Sequence, residues 1–336
     1  MRGVVPVLLC ASPLGCASPG DDEPTGGPAD ATPPWLLPDA PPSSMPDAGP
    51  GIRERCFPDL GDPSLGVPDY DQFGPVVGSH CAGTNHQEIA QVERVVFLGD
   101  SITQGTPPTP SAGYYRNLLA ESLRAWFGAG LEVDECSRWG ARADDLLGPP
   151  RPQLPTCFPA PEPKRTLVIM TVGGNDMLAI LEGALGGDTI DQSLAKVDEA
   201  VALVRDAVAW FYADPARFPA GVSVVFANVY ELTDGVADFP EACPFASLAG
   251  VTDGWPQGRQ VLIRMNEELM RVAVETDTDL IFLSETFCGH GLHAGEPGNE
   301  CFRGEDAETW FDFTCIHPNP AGHRAIAEAF LRVVEE

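Results

Sequence analysis

At 336 residues the chain can bury a substantial core, either as one large domain or as two smaller ones. Forty-nine acidic residues against 20 basic give a net charge of −29. That balance opposes nucleic acid and anionic lipid as electrostatic partners but leaves neutral esters and polysaccharides open. In chain order, residues 1–16 (MRGVVPVLLCASPLGC) carry one arginine, a short apolar run and then small residues. This reads as an export signal, well short of the ~20 apolar residues of a membrane span.

PLGC is similar to a bacterial lipoprotein cleavage box, which makes Cys16 a candidate lipidation site and the only expected link to a membrane. Leu14 stands one position closer to the cysteine than such boxes prefer, and cleavage near Ala17 is the alternative. Residues 17–50 hold ten prolines, four glycines and six acidic residues, with no lysine or arginine. Such a segment cannot bury enough apolar surface to offset its ordering entropy, so a disordered, semi-extended tether is expected. Residues 51–90 are rich in Gly, Pro and Asp without a clear period and read as an irregular extension.

With Cys10 and Cys16 set aside, eight cysteines remain: Cys56, Cys81, Cys136, Cys157, Cys243, Cys288, Cys301 and Cys315. An even number in an exported chain points to as many as four disulfides, with the pairing open. Cys288, His290, His293 and Cys301 could imitate a zinc site. Their spacing fits no standard pattern, and no metal or other cofactor is expected.

From residue 91 the texture changes. VERVVFLG is a short β-branched run suited to a strand buried on both faces. A helix follows over AGYYRNLLAESLRAWFG, with Tyr115, Leu118, Leu119, Leu123 and Trp126 at helical spacing. LEVDEC and RTLVIMTVG are the next strands. A long helix has Leu194, Val197, Val201, Val204, Val208 and Phe211 on one stripe. VSVVFANVY is a fourth strand, QVLIRMNEELMRVAVET a helix, DLIFLSE a fifth strand, and PAGHRAIAEAFLRVVEE a closing helix. Apolar strands alternating with amphipathic helices predict one α/β domain over residues 91–336. Its parallel, doubly wound sheet would have about five strands and helices on both faces.

In such sheets ligands bind beyond the carboxyl ends of the strands. After the first strand comes GDSITQG with Ser101; after the second, SRWGARADDLL with Gly140; after the third, VGGNDM with Asn175; before the last helix, IHPNPAGH with His317. Each alone reads as a cap or turn. Together, on one rim, they supply a hydroxyl nucleophile, free backbone N–H groups, an amide donor and an imidazole. Those are the parts that acyl transfer requires.

FLGDSITQG, WGARADDLL, VGGND and IHPNPAGH resemble, in order, the four sequence blocks of the SGNH (GDSL) hydrolase superfamily. The resemblance implies a flavodoxin-like sheet and ester hydrolysis through an acyl-serine. Position by position it implies Ser101 as nucleophile, His317 as base, and the Ser101 N–H, the Gly140 N–H and the Asn175 amide as oxyanion donors. The absence of a GxSxG elbow argues against the α/β-hydrolase fold.

One position departs from the family's pattern. Where an aspartate usually precedes the histidine by three residues, this chain has Thr314, and Asp312 lies two residues further off. Three outcomes stay open: Asp312 reaches the ring through a local bulge, a backbone carbonyl near Phe313 or Thr314 replaces it, or the site is inactive. His323 is expected to point away from the rim. The expected function is a secreted or surface-anchored serine esterase acting on small-molecule or polysaccharide esters. Short-chain and O-acetyl esters are favoured because no long apolar lid-like segment separates the blocks. A lipase or lysophospholipase and an inactive surface-binding lipoprotein are the alternatives.

Overall fold

The structure is a computed structural model and describes residues 50–60, 67–237, 243, 255–299 and 301–336. The expected export signal (1–16) with Cys16, and all of the expected tether (17–50) but Pro50, lie outside the described residues. A single turn of helix, α1 (Ile52–Cys56), leads to β1 (Arg94–Gly99), α2 (Ser101–Gln104), α3 (Tyr115–Phe127) and β2 (Glu132–Glu135). Next come α4 (Gln153–Cys157), β3 (Thr166–Thr171), α5 (Gly174–Leu185), α6 (Ile190–Tyr212) and β4 (Val222–Ala227). The last elements are α7 (Gly258–Thr276), β5 (Asp279–Ile281), α8 (Leu283–Phe287) and α9 (Pro320–Glu335).

The five strands pair in parallel in the order β2-β1-β3-β4-β5, the flavodoxin-like arrangement. β1 and β3 are apolar along their length because both faces are covered. Val96, Leu98, Val168 and Met170 meet the layer holding α6 and α7, whereas Val95, Phe97, Leu167 and Ile169 meet α3 and α9. α6 begins at a reciprocal cap: the Gln192 N–H donates to Thr189 Oγ1 at 3.3 Å, and the Thr189 N–H donates to Gln192 Oε1 at 2.8 Å. Its stripe of Val197, Val201, Val204, Val208 and Phe211 is buried, as its spacing predicts. α9 starts on Asn319, whose Oδ1 accepts from the Ala321 and Gly322 N–H groups, with Pro320 in the first helical position.

Two local expectations are corrected, and one helix has no counterpart in the sequence reading. Trp126 sits at helical spacing but is 56% exposed, because the buried stripe of α3 is Tyr115, Leu119, Ala120 and Leu123. β5 ends at Ile281; the apolar run continues into α8, since a short apolar stretch does not distinguish strand from helix. α5 is the helix without a counterpart among the elements that the sequence pattern predicts.

The extension does more than precede the sheet. It falls in the same compact unit, and Gly83 bridges Ile281 in antiparallel fashion. The Thr84 N–H donates to Leu280 O at 2.9 Å, and the Phe282 N–H donates to Ala82 O at 2.8 Å. The open edge of β5 is thereby satisfied rather than left as a template for association. The buried Asp279 carboxylate on that edge accepts from Thr84 Oγ1, the His86 N–H and Gln87 Nε2.

Candidate active site

Ser101 is the first residue of α2, immediately beyond β1. Gly99 makes the tight exit at φ +114°, where an added Cβ would lie 1.8 Å from Thr171 O, so no other residue fits. Asp100 caps the turn: its Oδ1 accepts from the Ile102 N–H at 3.0 Å and from Thr171 Oγ1 at 2.9 Å. Burial raises the Asp100 carboxyl to about 6, opposed by the bonds from Thr171 and Ile102. The capping role anticipated for this turn is therefore real, and it fixes where the Ser101 hydroxyl stands.

The loop after β2 is tied on both sides of that serine. The Arg138 N–H donates to Gly99 O at 2.9 Å, and the Trp139 N–H donates to Gln104 Oε1 at 2.6 Å. Gly140 follows in the left-handed region at φ +72°. The first turn of α5 grips the same loop. Asn175 Nδ2 donates to Ala141 O at 2.9 Å, which orients the amide and leaves its second proton free to donate elsewhere. The Asp176 carboxylate accepts from the Ala143 N–H, its two oxygens lying 3.1 and 3.3 Å away, and burial raises its pKa to about 6. Among the described residues, neither the Ser101 N–H nor the Gly140 N–H has an acceptor.

His317 reaches this rim from the loop ahead of α9, with its Nε2 3.0 Å from Ser101 Oγ. That loop is a tight hairpin: Phe311 bridges Pro318, the Asp312 N–H donates to His317 O at 2.9 Å, and the Cys315 N–H donates to Asp312 O at 2.9 Å. Burial lowers the His317 pKa and the Asp312 carboxylate opposes this, so the ring is neutral, a base, at pH 7. Among the described residues, neither the Asp312 carboxylate nor a main-chain carbonyl bonds its second nitrogen. The Thr314 hydroxyl does, at 2.9 Å from Nδ1, and Asp312 Oδ1 accepts from that hydroxyl at 2.5 Å. His323 is fully buried instead, its Nδ1 accepting from the Tyr115 N–H at 3.2 Å.

All eight expected cysteines are paired: Cys56–Cys81, Cys136–Cys157, Cys243–Cys315 and Cys288–Cys301. Cys288 and Cys301 thus bond each other, and among the described residues no cluster of His, Cys, Asp and Glu could hold a metal. The Cys243–Cys315 bridge spans 72 residues and ends two positions before His317. Replacing both cysteines by serine should cost about 2–4 kcal/mol of stability. It should also lower kcat at least fivefold by loosening the histidine loop; unchanged kcat in the folded variant would show that the bridge does not position His317.

A cavity of about 850 Å³ adjoins the site, with Ser101, Asn175 and His317 in its lining. Its apolar walls come from α5 (Met177, Leu178, Leu181), α7 (Leu262, Ile263), the chain after β4 (Val229, Leu232) and the extension (Ile52, Phe57, Leu60). The extension is anchored there by Tyr70, whose hydroxyl donates to buried Glu285 at 2.8 Å, while Asn228 Nδ2 donates to both.

The sequence profile of the GDSL-like Lipase/Acylhydrolase family matches residues 97–325, which takes in Ser101, Gly140, Asn175 and His317. The chain belongs to this family. It is accordingly a serine hydrolase acting on ester bonds. Similar solved structures include an acetylxylan esterase from Geobacillus stearothermophilus, 17% identical at TM-score 0.47, covering 74% of this chain and 97% of its own. An extracellular lipase from Streptomyces rimosus is 19% identical at TM-score 0.45, covering 71% and 98%. A phospholipase A1 from Streptomyces albidoflavus is 18% identical at TM-score 0.46, also covering 71% and 98%. Three different activities at one distance favour none of them for this GDSL-like hydrolase. No curated protein sequence matches the chain.

The departure from the family's pattern at Thr314 is legible in the sequence, but the threonine hydroxyl as the ring's partner is not. Asp176 and Gln104, which hold the loop of Gly140, lie inside the blocks VGGND and FLGDSITQG, but nothing in those motifs signals that role.

Proposed function

We propose that the chain is an exported carboxylic-ester hydrolase in which Ser101 is the nucleophile and His317 the general base. The single observation that carries this is the 3.0 Å contact between His317 Nε2 and Ser101 Oγ. The Ser101 hydroxyl attacks the ester carbonyl carbon and its proton passes to Nε2. The developing oxyanion accepts from the Ser101 N–H, the Gly140 N–H and Asn175 Nδ2. The imidazolium returns the proton to the leaving alkoxide, and a water activated by the same ring then cleaves the acyl-serine. The scheme calls on no cofactor.

The cavity supports an acyl group longer than acetyl, which moves the reading from O-acetyl and short-chain esters toward lipase-type substrates. Each buried methylene contributes about 0.8 kcal/mol. On p-nitrophenyl esters from acetyl to palmitoyl, kcat/KM should rise more than about tenfold between acetyl and octanoyl, as ~0.8 kcal/mol per methylene allows. An acetyl optimum would overturn the acyl-cavity reading while leaving the esterase; no hydrolysis of any member would overturn both.

Export is supported by four disulfides, which persist in oxidising compartments. Among the described residues no helix is long and apolar enough to cross a membrane. The N-terminal residues 1–16 and the proline-rich 17–50 support a tethered, surface-held or secreted enzyme, with lipid attached at Cys16 in the first case.

A further inference from the structure

We infer that Thr314 is a positioning residue that couples Asp312 to His317 through its hydroxyl, so that an Asp–Thr–His–Ser chain replaces direct contact between the acid and the imidazole. The inference rests on the roles proposed for Ser101 and His317, and it concerns what holds the ring.

A hydroxyl has one proton. Thr314 Oγ1 lies 2.5 Å from Asp312 Oδ1 and 2.9 Å from His317 Nδ1. A carboxylate only accepts, so the threonine proton points to Asp312. The hydroxyl oxygen then has nothing but lone pairs for the ring, and Nδ1 must carry the hydrogen that fills the contact. This sets the tautomer, which leaves the Nε2 lone pair facing Ser101 Oγ at 3.0 Å. The opposite tautomer would put two protons or none between the ring and one of its neighbours.

The backbone fixes the intermediary as firmly as the acid. The Thr314 N–H also donates to Asp312 Oδ1, at 2.8 Å, and the hairpin bond from the Asp312 N–H to His317 O closes the loop around all three residues. Cys315, in the left-handed region at φ +67°, turns the chain between Thr314 and His317. No proton travels along the chain when Ser101 attacks. The serine proton ends on Nε2, Nδ1 keeps its own, and the imidazolium charge is stabilised by the polarised hydroxyl and the carboxylate behind it.

Titratable groups around the ring are Asp312 on its own loop, Asp100 behind Ser101, His323 on α9 and Tyr230 after β4. Burial keeps His323 neutral, lowered to about 4, and holds the Tyr230 phenol protonated. Asp100 at about 6 titrates near the histidine, but it is unchanged in every variant below and so cancels from the comparison.

The test compares Thr314→Val, Thr314→Ala, Thr314→Ser and Asp312→Ala on a p-nitrophenyl ester, with pH profiles of kcat/KM and melting curves. Valine and alanine should each lower kcat by about 10²-fold with KM within about threefold, because the tautomer is no longer set. Their acid limb should move to lower pH, since losing the Nδ1 acceptor destabilises the imidazolium. Serine, which restores the hydroxyl without the methyl, should recover most of the rate. Activity following the hydroxyl, not the methyl, separates positioning from packing, and the alanine–serine pair does so even where valine fails to fold. Asp312→Ala combined with Thr314→Ala should be no slower than the slower single variant. A Thr314→Ala enzyme within threefold of the parent, or a serine variant as slow as alanine with an unmoved acid limb, would overturn the relay. Because the parent enzyme would still hydrolyse ester and react with a fluorophosphonate in those cases, failure of the relay is distinct from failure of the serine-hydrolase roles.

Discussion

Ser101→Ala should remove ester hydrolysis, with kcat falling by a factor on the order of 10⁴ or more while the protein keeps its melting temperature within a few degrees. The size follows from the arrangement. Ser101 is the only hydroxyl bonded to His317 Nε2 among the described residues, and its neighbours Gly99 and Asp100 are committed to the strand exit and to the cap. Removing one oxygen from a half-buried side chain opens little space and strands no buried donor, so stability should barely change. His317→Ala should fall by a comparable factor, and the double variant should be scarcely slower than either single one, because the two groups act as a unit. Losses that multiply instead would mean that the two side chains serve separate functions.

Asn175→Ala should lower kcat by about 10²–10³-fold with a much smaller change in KM, the signature of a donor that engages the oxyanion rather than the ground state. One amide proton already goes to Ala141 O at 2.9 Å, so alanine removes both the oxyanion donor and a tether of the Gly140 loop. Asn175→Asp separates the two effects. It keeps the size but replaces two donor protons with an acceptor facing the developing negative charge, and should be at least as slow as alanine. If alanine were within threefold of the parent, the oxyanion would have to be held by the Ser101 and Gly140 N–H groups alone.

The strands were legible because β1 and β3, covered on both sides, leave uninterrupted apolar β-branched runs. The amphipathic stripe of α6 was equally plain. α5 was not, and the reason is physical: Met177, Leu178 and Leu181 border the cavity while Ile180 faces the core, so the helix lacks the polar face that periodicity detects. Its glycines, Gly174 and Gly183, further weaken the helical signal. The four blocks gave the positions of Ser101, Gly140, Asn175 and His317, because short motifs carry local geometry. The partner of the imidazole was out of reach, since it depends on a hairpin closed by main-chain bonds and on the left-handed turn at Cys315. The cavity was out of reach too: it is walled by segments far apart in the chain, the extension included, and no single segment resembles a lid.

The most direct test of the central assignment is reaction of the folded protein with a fluorophosphonate, read by intact mass and by mapping the modified peptide. One adduct per chain on Ser101, lost in Ser101→Ala and greatly slowed in His317→Ala, is the predicted result. A folded protein that takes up no label, or one labelled at another residue, would contradict it and would instead support a surface-binding protein that keeps the fold without the chemistry.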